Sequence, residues 1–133
     1  MREILFRGKR VDNGEWATGF YTCFNEKEHR IYSGYAETDC GDYYPESFTV
    51  LPETVGQYTG FMALNGKVFE HDVVTAKFKS NGARFNFVVK YDNQKGGYIF
   101  DNGIARILFE RIRSVRVLGN IHDNPELMEG GAE

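Results

Sequence analysis

The chain has 133 residues and a mass of 15.2 kDa, enough for one domain or two small ones and too little for a repeat array or a multidomain enzyme. A net charge of -3 and a pI near 5.6 exclude a uniformly basic nucleic-acid binder. No apolar run approaches the roughly 18 residues that a membrane span needs, and Met1 to Arg7 is too short and too charged for a secretion signal, so no membrane association and a cytoplasmic location are expected.

Leu, Ile, Val and Phe supply 34 of the 133 residues, which is sufficient for a packed core. Cys23 and Cys40 are too few for a disulfide scaffold or a four-thiolate metal site. Fifteen glycines, twenty aromatics and four Asn-Gly pairs read as β structure, because aromatics suit pleated half-buried surfaces and Asn-Gly accepts the positive φ of hairpin turns.

The first hairpin centres on Asn13-Gly14. A two-residue loop there sets Ile4 opposite Cys23, Phe6 opposite Tyr21 and Gly8 opposite Gly19, which places Cys23 on an apolar face, while the other face, with Leu5, Arg7, Trp16 and Phe20, is mixed. Arg30 to Tyr35 reads as the next strand, 37–46 as an acidic surface loop, and Ser47 to Leu51 as a strand. Val68-Phe69, Gly97 to Phe100 and Val115 to Leu118 are further short strands, for eight to ten in all.

Asn81-Gly82 marks the clearest hairpin. A two-residue loop pairs Phe78 with Phe85, Ala76 with Phe87 and Val74 with Val89 on an apolar face, and Lys79 with Arg84, Lys77 with Asn86 and Thr75 with Val88 on a polar one. Between 104 and 113, Ile104, Ile107, Leu108 and Ile112 fall at helical spacing while Ile107 and Phe109 also alternate; a short helix is the expectation. Asn124-Pro125-Glu126 has the form of a helical-turn start, and Gly130 to Glu133 is expected to fray.

Chemistry-bearing residues are sparse. Glu70-His71-Asp72 is the one adjoining set of metal-ligand types, with His29 and His122 elsewhere, but alternation in a strand turns His71 away from Glu70 and Asp72. The plainer reading has Asp72 accept backbone hydrogen bonds in a tight turn. A metal-assisted hydrolase around Glu70 and Asp72 is therefore the outside alternative, and no metal or cofactor is expected. Cys23 reads as core, and Cys40 lies among acids that disfavour a thiolate. Nucleophile elbows, phosphate loops and dinucleotide fingerprints are absent from the sequence, so no enzyme activity is expected.

Charge is unevenly spread. Residues 71–116 carry nine Lys and Arg against four acids, whereas the remainder carries seven against fifteen. Lys77, Lys79, Arg84 and Lys90 share a predicted hairpin face, followed by Arg111, Arg113 and Arg116. A basic β surface of this kind can follow a nucleic-acid backbone, or meet the acidic part of a second copy.

Three segments together carry a family resemblance: Arg2-Glu3-Ile4 with Phe6-Arg7-Gly8-Lys9; Thr54-Val55-Gly56-Gln57-Tyr58-Thr59-Gly60 followed by Asn65-Gly66-Lys67, Phe69-Glu70 and Asp72-Val73-Val74; and Gly119-Asn120-Ile121-His122-Asp123-Asn124-Pro125-Glu126-Leu127. In these the chain resembles the YopX family of phage and prophage proteins. The resemblance implies a small β-rich protein in a bacterial host cell, with no assigned activity. It departs from the commonest family pattern at His71, where Gly often precedes the Asp, which argues against positive φ at that position. A second departure is Met62-Ala63-Leu64, where a charged turn is usual.

The fold expected is mostly β: an N-terminal antiparallel meander over 1–55 packed on a small C-terminal barrel over 56–133, for which the SH3-like type is the candidate, the two forming one structural unit. Gly56, Gly60 and Gly119 are expected to shape the backbone, with Gln57, Tyr58, Asn120 and Asn124 hydrogen-bonding across the joint; Thr59, Asp72 and Pro125 complete a structural signature. The expected function is non-enzymatic, through protein contacts with a phage or host protein and above all through a homo-oligomer, with nucleic-acid binding by the basic hairpin face as the alternative.

Overall fold

A computed structural model describes residues 3–128; Arg2 of the first signature segment and the Gly130 to Glu133 tail lie outside them. Among the described residues there are eleven strands, more than the eight to ten expected, and three single 3-10 turns. The chain divides into two compact units, one ending at Tyr58 and the other beginning at Thr59.

In the first unit, β1 (Phe6–Lys9), β2 (Trp16–Phe24), β3 (Glu28–Glu37) and β4 (Tyr43–Thr49) form an antiparallel meander. The opening residues of β5 (Gly56–Ala63) pair with β1, Gly56 opposite Arg7 and Gln57 opposite Phe6. Its core is Ala17, Ile31 and Val50, with Phe6, Tyr21, Phe48 and Val55 packed against them.

In the second unit, β5 runs on toward β6 (Gly66–Phe69). A separate five-stranded antiparallel sheet has the order β10-β9-β8-β7-β11, from β7 (Asp72–Phe78), β8 (Arg84–Asp92), β9 (Gly97–Asp101), β10 (Arg106–Ile107) and β11 (Ile112–Asn120). The mostly β class is as expected; an SH3-like barrel is not confirmed by this strand order. Phe87 and Phe100 are fully buried in the core with Val68, Val74, Ala76 and Val89, and Phe61, Phe78, Phe85 and Phe109 close around them. The centroids of Phe61 and Phe109 stand 4.9 Å apart, within the range where aromatic pairs add to area burial, and those of Phe100 and Phe109 are closer still at 4.3 Å.

Both Asn-Gly hairpin registers differ from expectation by the same amount and for the same reason. Gly8 pairs with Ala17, not Gly19, and Phe6 with Gly19, not Tyr21; Ala76 pairs with Phe85, not Phe87, and Lys77 with Arg84, not Asn86. The loops hold four residues, 11–14 and 79–82, each closed by two bonds: Arg10 N to Glu15 O with Gly14 N to Arg10 O, and Phe78 N to Ala83 O with Gly82 N to Phe78 O. Gly14 and Gly82 both have φ +73, and the Asn before each accepts the N–H of the residue after it. Asn-Gly thus fills the third and fourth loop positions instead of making the whole loop.

A two-residue shift preserves side-chain parity, so the apolar face survives: Val74, Ala76, Phe87 and Val89 are buried, with Phe78 and Phe85 partly so. The opposite face is less wet than expected, because Val73 and Val88 are also buried.

Three further expectations are corrected. Residues 37–46 are not one loop: only 38–42 turn, closed by Thr38 N to Asp42 O, and Tyr43 already belongs to β4. Residues 104–113 hold no α-helix, since Asn102 Oδ1 accepts from Ile104 N and Ala105 N and turns the chain into β10, after which Ile107 and Phe109 alternate inward past exposed Leu108. Cys23 is exposed, paired with His29 at the open end of β2 and β3, and Ile4 is exposed as well. The turn at Pro125–Leu127 is present as expected.

Phe87 is the deepest test of this core. Replacing it by Ala should cost about 3–5 kcal/mol in chemical denaturation, because the rings of Phe78 and Phe100 and the buried aliphatic residues of the core leave little room to collapse. A loss below about 1 kcal/mol would contradict the packing described.

Candidate interaction surface and signature turns

On the outer face of the second sheet, direct pairing sets Arg84, Lys77 and Arg113 in one row across β8, β7 and β11. The next row is Asn86, Thr75 and Arg116. Strand neighbours lie about 4.8 Å apart, so like charges set side by side cost a few tenths of a kcal/mol each. Arg84 donates to Thr75 Oγ1 at 3.2 Å, drawing its guanidinium toward the second row.

Alternation alone would put Arg113 and Arg116 on opposite faces. A bulge in β11 intervenes, carrying Ser114 at φ +54; a second irregularity follows between Val117 and Gly119. The extra residue leaves both Ile112 and Val115 in the core and both Arg113 and Arg116 exposed.

The other basic residues are placed differently. Lys79 is in the hairpin loop, its N–H donating to Arg111 O, and is not opposite Arg84 as expected; with Phe78, Ser80, Ile107, Glu110 and Arg111 it lines an open hollow of about 500 Å³. Lys90 Nζ is 3.3 Å from Asp101, which Arg106 also approaches at 3.7 Å, while another Arg106 nitrogen lies 3.7 Å from Asp92. Lys90 therefore stands outside the cationic row, neutralised locally.

A second exposed surface lies in the first unit and was not singled out from the sequence. Pairing puts Phe20, Thr22 and Phe24 of β2 on one face with Tyr32, Arg30 and Glu28 of β3. A bulge at Ser33 restores Tyr35 and Glu37 to that same face, opposite Pro45 and Tyr43 of β4. Phe20, Phe24, Tyr35 and Tyr43 are 68%, 69%, 75% and 71% exposed. Between the rings, Arg30 is held by Ser47 Oγ at 2.9 Å, Thr49 Oγ1 at 2.9 Å and Glu28 at 3.3 Å. The signal available from sequence was the run of aromatics at odd spacing across 20–44; a bulge hides their common face.

The signature residues form turns of the second unit. Gly60 has φ +85, Thr59 Oγ1 donates to Val68 O, and Phe61 N donates back to Thr59 Oγ1. Asp72, 1% exposed, accepts from Phe69 N at 2.7 Å across the Glu70-His71 turn. His71 has φ +76, contrary to expectation, at a turn position that Gly or Asn ordinarily takes.

Asn120 pairs with Asp72, and its Oδ1 accepts from His122 N and Asp123 N, closing the turn that follows β11. Asn124 Oδ1 takes Asn120 N at 3.4 Å, so both asparagines serve this turn. A Cβ on Gly119 would sit 2.3 Å from Asn124 Oδ1, which requires glycine there. Gly56 is buried beside β1, and Pro125 opens the last 3-10 turn.

Asn65 was expected in a hairpin turn, and it does more. Its Nδ2 donates to Val117 O and its Oδ1 accepts from Val117 N, both at 2.8 Å, so one amide takes the place of a strand partner for β11. Leu64 N donates to Val115 O beside it.

Catalytic or metal-type clusters are few. No group of three or more His, Cys, Asp or Glu suited to a metal occurs among the described residues. Tyr21 Oη lies 2.5 Å from His29 Nδ1, and Cys23 Sγ is 3.8 Å from His29 Nε2; burial and the nearby thiol push the Tyr21 phenol up.

Asp101 gives a pH prediction. Burial raises its carboxyl, but the Gly103 N–H, Lys90 and Arg106 outweigh burial and hold it below the ordinary carboxylate range. A lowered folded-state value means stability present above the unfolded-state value near 4 and lost as pH falls through the folded one. Asp101→Asn should therefore unfold more easily than wild type at pH 7, with the difference shrinking as pH falls from about 5 toward 2. An unchanged gap across that range would show the pairing to be without effect.

No helix among the described residues is long and apolar enough to cross a membrane. No curated protein and no solved structure matches the chain. A family model, described as YopX protein, matches residues 5–129, nearly the whole length and every signature turn described above. The chain belongs to the YopX protein family.

Proposed function

We propose that this protein acts through protein contacts, self-association foremost, as a non-enzymatic accessory protein of phage or prophage origin in the cytoplasm of a bacterial host. The observation that carries the reading is the face of Phe20, Phe24, Tyr35 and Tyr43, each more than two thirds exposed on the β2-β3-β4 sheet. Solvated aromatics gathered on one face are costly to leave in water and mark sites where another surface docks. Charge supports a second copy as the partner: residues 71–116 have five more bases than acids, and the rest of the chain has eight more acids than bases.

Light scattering over a concentration series should show more than one copy per particle. Phe20→Ser with Tyr35→Ser should shift the series toward monomer without loss of fold, since both rings face water. A wild-type monomer at high micromolar concentration and ordinary salt would overturn the proposal.

Nucleic-acid binding is the second reading, favoured by the row of Arg84, Lys77 and Arg113 with Arg116 beside it. Four phosphate contacts imply a slope of log affinity on log salt of about -3 to -4. The acidic remainder repels the same phosphates, so weak or no binding is expected at physiological salt. Submicromolar, salt-steep affinity lost in Lys77→Glu with Arg84→Glu would place this reading first.

A further inference from the structure

We propose that His71 and His122 form a two-histidine site for a divalent transition-metal ion of the zinc or copper type. The two residues are 51 positions apart and meet because the turn after β6 and the turn after β11 are tied together. His71 N donates to Val89 O, Ile121 N donates to His71 O, and Asn120 pairs with Asp72, so both imidazoles stand on backbone fixed from two sides.

His122 Nε2 lies 3.3 Å from His71 Nδ1, with the ring planes near perpendicular at 82°. The contact is a hydrogen bond between the rings, and two imidazole nitrogens each 2.0–2.1 Å from a tetrahedral zinc ion also stand about 3.3–3.4 Å apart, so an ion that replaces the shared proton meets the spacing it requires. The far nitrogen of His71, Nε2, is 3.8 Å from Glu70 Oε2, beyond hydrogen-bond reach but near enough for the carboxylate charge to favour a cation at this turn.

Backbone strain points the same way. His71 holds φ +76, a conformation that costs a side-chain-bearing residue energy and that concentrates at sites where geometry is constrained by function. Both side chains are partly exposed, which leaves an entry path and room for water in the remaining coordination positions. Two protein ligands suit a borderline cation that favours imidazole over one that demands an oxygen cage. The site is independent of the contact surface proposed above.

Titration of the full chain with zinc chloride, followed through the imidazole resonances of its three histidines, tests the assignment. In the Cys23→Ser chain, which removes the thiol beside His29, His71 and His122 should shift together and saturate at one ion per chain while His29, on the other unit, stays in place. His71→Gly, which suits the positive φ, and His122→Ala should each lower the affinity tenfold or more. The backbone spectrum of each variant outside 69–72 and 119–124 should remain that of wild type. Absence of a saturable shift at His71 and His122, or binding undiminished in either variant, would overturn the proposal.

Discussion

The period of two along a β-strand decides what this protein shows to water. The cationic row and the aromatic face are each a set of residues that alternation, with a bulge, has turned away from a core. Each hairpin loop and each bulge either preserves that parity or resets it. The four-residue loops ending in Asn-Gly preserve it: Asn13 and Asn81 each fold back onto the residue beyond their glycine, and the strands leave with their apolar sides matched. A third loop, 93–96, closes likewise with Gly96 N on Asp92 O and Gly96 at φ +66.

Bulges reset parity, and they do so where the surface is made. At Ser114 one added residue brings Arg113 and Arg116 to the same side while Ile112 and Val115 stay in the core. At Ser33 another brings Tyr35 alongside Tyr32 and Phe20. Both bulges interrupt regular ladders. Along the outer edge of β11, the last strand of its sheet, the Asn65 amide supplies both a donor and an acceptor to Val117.

The apolar side of the 72–92 hairpin was legible in the sequence because parity survives a two-residue error in register. The register itself was not, since a dipeptide signal does not say whether it makes the whole loop or only its end. Spacing of Ile104, Ile107, Leu108 and Ile112 suggested a helix, but Asn102 captured two backbone amides and the competing alternation of Ile107 and Phe109 prevailed. Cys23 keeps its expected parity with Tyr21 but is exposed, because it lies at the open end of β2 and β3, beyond Gly19, where the pairing with β1 stops. Of the basic residues, Lys77, Arg84, Arg113 and Arg116 do come together, whereas Lys90 is held by Asp101 on the neighbouring strand β9. Neither the common face of Phe20, Phe24, Tyr35 and Tyr43 nor the meeting of His71 with His122 was readable, because the one passes through a bulge and the other joins turns 51 residues apart.

The family signature thereby acquires a physical meaning: Asp72, Asn120 and Asn124 build turns of the second unit, Gly60 and Gly119 shape the strands β5 and β11, and the surfaces lie elsewhere. Such a division, with turns fixed and faces exposed, is what a contact protein needs, since docking requires a rigid frame under the residues that dock. The measurement that addresses this most directly is hydroxyl-radical footprinting of side chains in dilute and in concentrated solution. The account predicts that oxidation of Phe20, Phe24, Tyr35 and Tyr43 falls on concentration while exposed Leu64 and Ile104, in the second unit, continue to react. Unchanged oxidation of the four aromatics under conditions where the protein associates would contradict it.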